Sequence, residues 1–352
     1  MARIPTVAIA CQGGGSHAAF AAGVLQRLLG PELRGRFRLL GLSGTSGGAL
    51  CAALAWVGLQ RGGPDEAVAR LGAFWTDLEA RDPLDALANQ WNLTAARAPV
   101  TAELSPYWVR PLAEERLGGL VARHIPLESV PAAQRERSPL KLLIGATDVL
   151  NGERVVFGNT TVTGRHLVAS AAVPPLFRAI AIDGRLYWDG LFTSNPPVRE
   201  FTDETLMGEK PDEIWVVQIN PQRQATEPQS IRDIDDRRNE LSGNLALAQE
   251  LYFIEKINEL TERMAAHPRV AWPYARITVR VVEMPLAGLD YASKLDRSPA
   301  LIERLLEAGR ARAAEFFDAA PWPASGSIPR QSRRLPGGGA PPRRRQAAFS
   351  AG

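Results

Sequence analysis

Two glycine turns hold the side chains best suited to chemistry, one carrying a serine and one an aspartate. Gly44-Thr45-Ser46-Gly47-Gly48 reads G-x-S-x-G. The apolar run Phe37-Arg-Leu-Leu-Gly-Leu42 precedes it, and the helix-forming run Ala49-Leu-Cys-Ala-Ala-Leu-Ala-Trp56 follows. Strand, tight turn and helix are the setting in which this pattern becomes a nucleophile elbow. Such a turn strains the serine backbone, and side chains on its neighbours would collide across it, hence the glycines. The serine Oγ then stands above the sheet. The Gly47 amide, at a helix N-terminus, can face a developing oxyanion. An ordinary glycine-rich turn is the bland alternative, because G-x-S-x-G is common by chance.

A hydrolytic serine needs a base. Of the four histidines, His17 follows a glycine loop and reads as a local hydrogen-bonding or surface group. His124 and His166 lie in amphipathic segments. His267 alone follows both the serine and the later acids, but it sits beside Pro268 at a helix end, where histidine serves as a favourable cation. None stands out as a triad member. The other candidate is Asp189 in Tyr187-Trp188-Asp189-Gly190, followed by Ser194-Asn195-Pro196-Pro197. A carboxylate at a strand end, partly desolvated under a glycine turn, has a raised pKa and can take a proton from Ser46 directly. A turn aspartate bonding its own backbone is the alternative, and Asp183-Gly184 fits that description.

Gly13-Gly14-Gly15 lies between the first strand and its helix, where crowded amides can meet an anion. It reads as the remainder of an oxyanion hole, as a dinucleotide fingerprint Gly13-x-Gly15-x-x-Ala18, or as a plain tight turn. The fingerprint needs an acid at the end of the second strand. That strand ends Leu42-Ser43-Gly44-Thr45 and has none.

The elements that must position these groups alternate. Thr6–Cys11 reads as a strand, Ser16–Leu29 as a helix capped by Ser16, and strand, elbow and helix follow to about Gln60. Such a β-α-β-α run predicts an α/β fold with a mainly parallel sheet. Asp65–Ala80 is amphipathic. Residues 81–125 are broken by Pro83, Pro99, Pro106 and Pro111, and read as irregular: a cap over the site, or an excursion whose Trp91, Tyr107 and Trp108 pack onto the core, the latter favoured. Leu140–Val149 and Glu153–Phe157 form a hairpin about Asn151-Gly152. Thr163–Val173 is a short helix, and Ala179–Ile182 with Arg185–Trp188 a second hairpin. Asp212–Ile219 reads as a central strand, Ser230–His267 as one long helix with a kink near Ser242-Gly243, Ala275–Val282 as the last strand and Pro299–Phe317 as the last helix.

At 352 residues with 45% hydrophobic content, the chain reads as a globular protein with one large α/β domain, residues 1–320. From 321 the Pro, Gly, Ser and Arg content predicts a disordered basic tail. Six arginines and no acid lie in 323–352; setting them aside turns the formal +3 into about −3 on the remainder. Nucleic-acid binding is therefore not expected. Cys11 and Cys51 make neither a disulfide framework nor a metal site, so neither metal nor cofactor is expected and a reducing, cytoplasmic setting is the default. Ala8-Ile-Ala-Cys11 looks superficially like a lipoprotein cleavage box, but the apolar stretch before it is too short and is cut by Pro5. No run reaches the length of a membrane span.

Taken in order, Gly13-Gly14-Gly15, Gly44-Thr45-Ser46-Gly47-Gly48 and Asp189-Gly190 resemble the three signatures of patatin-like phospholipases. Ala169-Ser-Ala-Ala-Val-Pro-Pro-Leu-Phe177 is similar to the stretch that precedes the family's aspartate, and Ala146-Thr147-Asp148 is similar too. The resemblance covers about residues 5–200 well and the rest, to about 317, loosely. It implies a three-layer α/β/α fold and a Ser–Asp dyad without histidine. In it Ser46 would be the nucleophile, Asp189 the base, and the amides of Gly13, Gly14, Gly15 and Gly47 the oxyanion hole. The implied reaction is hydrolysis of a lipid acyl ester through an acyl-enzyme, without a metal. Two positions depart from the family. Its loop reads G-G-G-x-R/K-G, whereas Gly15-Ser16-His17-Ala18 lacks the fixed cation, leaving His17 to supply one in a pH-dependent way. Leu191 stands where the family has Gly or Ala, adding bulk beside the acyl pocket.

A non-catalytic scaffold of the same fold, binding an acyl chain or membrane, is the competing class; intact Ser46 and Asp189 favour the enzyme. A storage polyester or an acyl-CoA is the alternative ester. Partners expected are an acyl-ester substrate and, through the arginine tail, a peripheral contact with an anionic membrane. Oligomeric state is open.

Overall fold

The computed structural model describes residues 3–97, 105–224, 227–265, 267, 272–285 and 289–319. Along the chain the strands are β1 (Thr6–Cys11), β2 (Arg38–Gly44), β3 (Lys141–Asp148), β4 (Glu153–Gly158), β5 (Ile180–Ile182), β6 (Arg185–Asp189), β7 (Glu213–Gln218) and β8 (Thr278–Glu283). The α-helices are α1 (Ala19–Leu29), α2 (Gly47–Arg61), α3 (Pro64–Leu78), α4 (Pro83–Arg97), α5 (Leu112–His124), α6 (Ala132–Arg137), α7 (Gly164–Ser170), α8 (Glu204–Met207), α9 (Ile231–Met264) and α10 (Pro299–Asp318).

The side chains of β1 divide between two cores. Val7, Ile9 and Cys11 join the larger one, and Ala8 and Ala10 the smaller. A strand covered on both faces needs an unbroken apolar run, and Thr6-Val-Ala-Ile-Ala-Cys11 supplies it. On one face α1, α2, α3 and α10 contribute Phe20, Leu25, Trp56, Phe74 and Leu305. On the other α9 and the 198–207 segment contribute Leu247, Ile254, Phe201 and Met207. The three-layer α/β/α arrangement follows from this division.

The sheet order is β5-β6-β3-β2-β1-β7-β8, with β4 also on β3. β3, β2, β1, β7 and β8 run parallel. β4, β5 and β6 are antiparallel additions. β4 pairs with β3 along its whole upper length, from Leu143 to Asp148. β2 must therefore lie on the opposite edge of β3, paired with Lys141–Ile144, and so must β6, paired with Ala146–Asp148. β2 and β6 thus share one edge and approach head to head. Gly44 pairs with Ile144, and Asp189 with Ala146, two residues further along.

Helix starts differ from expectation in one place. Ser16 does not cap: a 3-10 turn, Gly15–Ala18, precedes α1, and no side chain caps it. The Pro-broken 81–125 segment holds two helices, α4 and α5, because Pro83 sits at a first turn where its missing N–H costs nothing. α9 is uninterrupted across Ser242-Gly243. The predicted tail lies outside the described residues.

α1, which leads away from the glycine loop, crosses α10 with backbones almost touching. A Cβ on Gly23 would lie 2.1 Å from the Leu306 carbonyl oxygen, and one on Gly309 2.1 Å from that of Phe20. Gly23→Ala should therefore destabilise the protein by about 1–3 kcal/mol in denaturant unfolding, despite alanine's better helix propensity. Equal or higher stability would mean that this crossing yields easily.

Candidate active site

Ser46 sits between β2 and α2 with φ 57° and ψ −131°, one of two non-glycine residues with positive φ among those described. Such a backbone persists only where its surroundings over-determine it. Here they do. The Ser46 amide donates to Ser170 O at 3.1 Å and to Ser170 Oγ at 3.0 Å. Ser170 Oγ donates in turn to Gly145 O at 2.6 Å. Thr45 Oγ1 donates to Ser194 O at 2.6 Å. Glycine is required where backbones meet: a Cβ on Gly48 would lie 2.2 Å from Cys11 O, and one on Gly13 would lie 2.6 Å from Ser46 Cβ. The Ser46 residue is only 8% exposed.

Asp189 closes β6 and is wholly buried. Its amide donates to Ala172 O at 3.0 Å. Its Oδ1 accepts the Leu191 amide at 2.8 Å, while Oδ2 is buried with no hydrogen-bond partner. Burial pushes its carboxyl up to about 7; the nearby Ser46 hydroxyl and the Leu191 amide pull against that rise. The Ser46 hydroxyl is thus a neighbour of the carboxylate, yet no hydrogen bond of full length and angle joins them. Loose contacts of this kind are common in sites without substrate. The head-to-head approach of β2 and β6 brings the two groups together across about 143 residues of sequence.

The glycine loop follows β1, beside the elbow, as Cys11 pairs with Gly44. Here one expectation is corrected. The Gly13 amide is already committed to Asn195 Oδ1 at 2.7 Å, so it is not available to an oxyanion. Its carbonyl accepts Asn220 Nδ2 at 2.8 Å. Gly13 is therefore the clamped end of the loop. The amides of Gly14, Gly15 and Gly47 have no bonded acceptor among the described residues.

Sequence reasoning missed the clamp. Gln12 Oε1 accepts the amides of Ile219 and Asn220 at 3.0 and 2.8 Å, and Gln12 Nε2 donates to Asn244 Oδ1 at 2.8 Å. Asn244 Nδ2 reaches Pro221 O at 3.1 Å. One signal was available: Gln12 is a long amide ending an apolar strand, fully buried and so in need of partners. These partners lie 207, 208 and 232 residues away, which no local pattern reveals.

His17 is corrected as well. It is buried, with Nε2 2.8 Å from Ser293 Oγ. Burial, and then Lys294, push its pKa down to about 3, so it is neutral near pH 7 and supplies no cation. The charge beside the loop is Lys294. Its carbonyl packs where a Gly15 Cβ would be, at 2.3 Å, and its Nζ holds Asp236 at 2.7 Å and Glu240 at 2.9 Å. His124 bonds Asp77, and His166 forms a capping box with Thr163. No histidine is bonded to Ser46 or Asp189 among the described residues. Leu191 is buried and contributes its amide to Asp189.

Two surface cavities, of about 330 and 360 Å³, are lined by neither Ser46 nor Asp189. Among the described residues, no group of three or more His, Cys, Asp or Glu is placed to hold a metal ion. None of their helices is long and apolar enough to cross a membrane.

The chain matches the family model of patatin-like phospholipases over residues 9–202, more than half its length. It belongs to the patatin-like phospholipase family, whose activity class is lipid acyl hydrolysis. Among solved structures it is similar to VipD from Legionella pneumophila, with TM-score 0.43 and 13% identity, covering 90% of this chain and 67% of that one. It is also similar to a chain of the heterodimeric ExoU–SpcU complex from the type III secretion system of Pseudomonas aeruginosa, with TM-score 0.33 and 16% identity. That match covers 89% of this chain and 53% of the other, so this chain spans about half the length of that relative. The sequence matches no curated protein.

The buried carboxyl makes a stability prediction. Its folded pKa, about 7, lies above the unfolded value near 3.8, so the folded state binds the extra proton between those limits. Stability from this group is complete below about pH 4 and is lost as pH rises through about 7. Asp189→Asn cannot ionise, so its stability relative to wild type should climb across that window by about 4 kcal/mol, at ~1.4 kcal/mol per pKa unit. Urea unfolding at pH 4, 6 and 8 measures it. A difference independent of pH would show that Asp189 ionises as freely folded as unfolded.

Proposed function

We propose that this chain is a serine lipid acyl hydrolase working through a Ser46–Asp189 dyad and an acyl-enzyme. The observation that carries the reading is the unpartnered, fully buried Oδ2 of Asp189 beside a serine hydroxyl on a strained turn. A carboxylate with a pKa about 7 is matched to proton transfer near neutral pH.

In the forward half-reaction Asp189 Oδ2 takes the Ser46 Oγ proton as Oγ attacks the ester carbonyl carbon. The carbonyl oxygen becomes an oxyanion, and the amides of Gly14, Gly15 and Gly47 receive it. Gly13 takes no direct part; its bond to Asn195 holds the loop in place. The tetrahedral intermediate collapses, and the proton on Asp189 passes to the departing alcohol. Water then enters, gives its proton to Asp189 and attacks the acyl-Ser46 carbonyl. Collapse returns the proton to Ser46 Oγ and releases the fatty acid. Neutral His17 stands outside this sequence, and no step requires a metal.

Ser46→Ala and Asp189→Asn should each lower ester turnover by about 10³-fold or more with the fold retained. A fluorophosphonate probe should label wild type and not Ser46→Ala. The kcat/KM of wild type should rise with pH through about 7, as the base form of Asp189 appears. A well-folded wild type without labelling would favour the binding scaffold, and near-normal turnover by either variant would remove that residue from the mechanism.

A further inference from the structure

No step of the mechanism uses His17, although it is a buried titratable group adjoining the loop whose amides would receive the oxyanion. It lies in the 3-10 turn Gly15–Ala18 and is 2% exposed. Its protonation state follows from its neighbour Ser293. The Ser293 Oγ carries one proton and has three polar neighbours. It lies 2.6 Å from the Asp290 carbonyl oxygen, which can only accept, and 3.0 Å from the Asp290 amide, which can only donate. The hydroxyl proton therefore goes to the carbonyl, and Oγ accepts from the amide. The third neighbour, His17 Nε2 at 2.8 Å, is then a second donor. His17 is the neutral Nε2–H tautomer, and its Nδ1, buried with no hydrogen-bond partner, keeps a lone pair. The other tautomer would set two acceptors against each other at 2.8 Å and bury an orphaned Nδ1–H.

Three consecutive glycines have great backbone freedom, so the aim of their amides must be set from outside. The loop is held at both ends. At its start Gly13 is clamped by Asn195 and Asn220. At its far end the His17 amide donates to Gly14 O at 3.2 Å. The Gly14 carbonyl shares a peptide plane with the Gly15 N–H, so where His17 sits sets where that N–H points. His17 is in turn tied to the 290–294 turn through Ser293, and the Lys294 carbonyl of that turn packs where a Gly15 Cβ would be. The turn is itself fixed. Asp290 Oδ1 accepts the Ser293 amide at 2.8 Å, its Oδ2 accepts Arg97 Nε at 3.0 Å, and Lys294 Nζ holds Asp236 and Glu240 of α9. The 3-10 turn also touches the elbow: a Cβ on Gly47 would lie 2.6 Å from that of Ala18.

We propose that His17, as a neutral donor to Ser293, is the positioning residue that latches the far end of the glycine loop and fixes the aim of the Gly14 and Gly15 amides. Its purpose rests on the acyl-hydrolase reading; the latch itself does not. The surroundings explain why a neutral ring serves where the family pattern has Arg or Lys. The charged groups facing the ring are Lys294, Asp290 and Arg304. Asp290 is already paired with Arg97, and Lys294 already holds Asp236 and Glu240. A fixed cation at position 17 would be buried beside two others without an acid of its own.

Variants of the full-length protein separate a donor from a space-filler. His17→Gln can present an N–H near the Nε2 position and cannot ionise. His17→Leu fills the space without a donor, and Ser293→Ala removes the acceptor. With a water-soluble short-chain ester, His17→Leu and Ser293→Ala should lower kcat by about ten- to hundredfold and change KM by less than about threefold, since an oxyanion donor acts in the transition state. His17→Gln should stay within about threefold of wild type, and the double variant His17→Leu/Ser293→Ala should fall no further than the worse single change. Hydrogen exchange across the glycine loop should quicken in His17→Leu and Ser293→Ala and not in His17→Gln. In nitrogen NMR of histidine-labelled protein, the ring signal lost in His17→Gln should be that of a neutral Nε2–H imidazole from about pH 5 to about pH 8. His17→Leu as active as His17→Gln, losses that fall on KM, additive losses in the double variant, or a ring protonated at Nδ1 overturns the proposal. A wild type that hydrolyses no ester would remove the catalytic reading, and the exchange and tautomer measurements would then decide the latch alone.

Discussion

Everything around the candidate site depends on keeping one carboxylate dry. Asp189 is wholly buried, one oxygen held by the Leu191 amide and the other unpartnered. A buried charge without a full complement of hydrogen bonds is costly, and the fold tolerates it by raising the pKa rather than by hydrating the group. The protein thereby carries a carboxyl group that titrates near neutrality. Stability and proton affinity are opposed at this residue: what makes it a good base makes it an unfavourable anion.

The sheet makes that placement reproducible. β3 acts as a ruler along which β2 from below and β6 from above are registered, so the elbow and the carboxylate meet by strand pairing rather than by loop conformation. The surroundings then lock both ends. Ser170 and Gly145 hold the Ser46 amide, and Asn195 and Asn220 hold Gly13. Gln12 ties that loop to β7 and, through Asn244, to α9. α9 is anchored independently by Glu250, which accepts the Val198 and Arg199 amides and pairs with Arg154. Buried polar networks of this kind are favourable only when nearly every group has a partner. Gln12, Asn195, Asn220 and Asn244, the side chains that hold the Gly13 end of the glycine loop, are amides, which carry no pH dependence into it.

Helix α4 shows the limit of pattern reading. Its segment reads as irregular, with Trp91, Tyr107 and Trp108 packed onto the core, yet Trp91 lies with Leu84 and Leu87 on the exposed side of a helix, and Tyr107 and Trp108 are exposed too. That side faces out because Leu93 and Ala96, on the opposite side, pack against Ala292, while Asp85 and Asn89 meet Arg116, Arg297 and Asp296 from other parts of the chain. Those partners win because a buried amide and a half-buried carboxylate must be paired, while an exposed leucine only forgoes a gain.

What the sequence alone determined was local. The unbroken apolar run of β1, the G-x-S-x-G between strand and helix and the Asp-Gly after β6 are each written in a few adjacent residues. Their order carried the family resemblance, the three-layer fold that goes with it, and the expectation that Ser46 pairs with Asp189. Only tertiary structure decided which donors remained free and what each titratable group experienced. Gly13 gave its amide to Asn195, from 182 residues away, and His17 lost its charge to burial beside Lys294. The physical reason is that backbone preference and hydrophobic period act over a turn or two, whereas desolvation and hydrogen-bond competition depend on neighbours the chain supplies from anywhere.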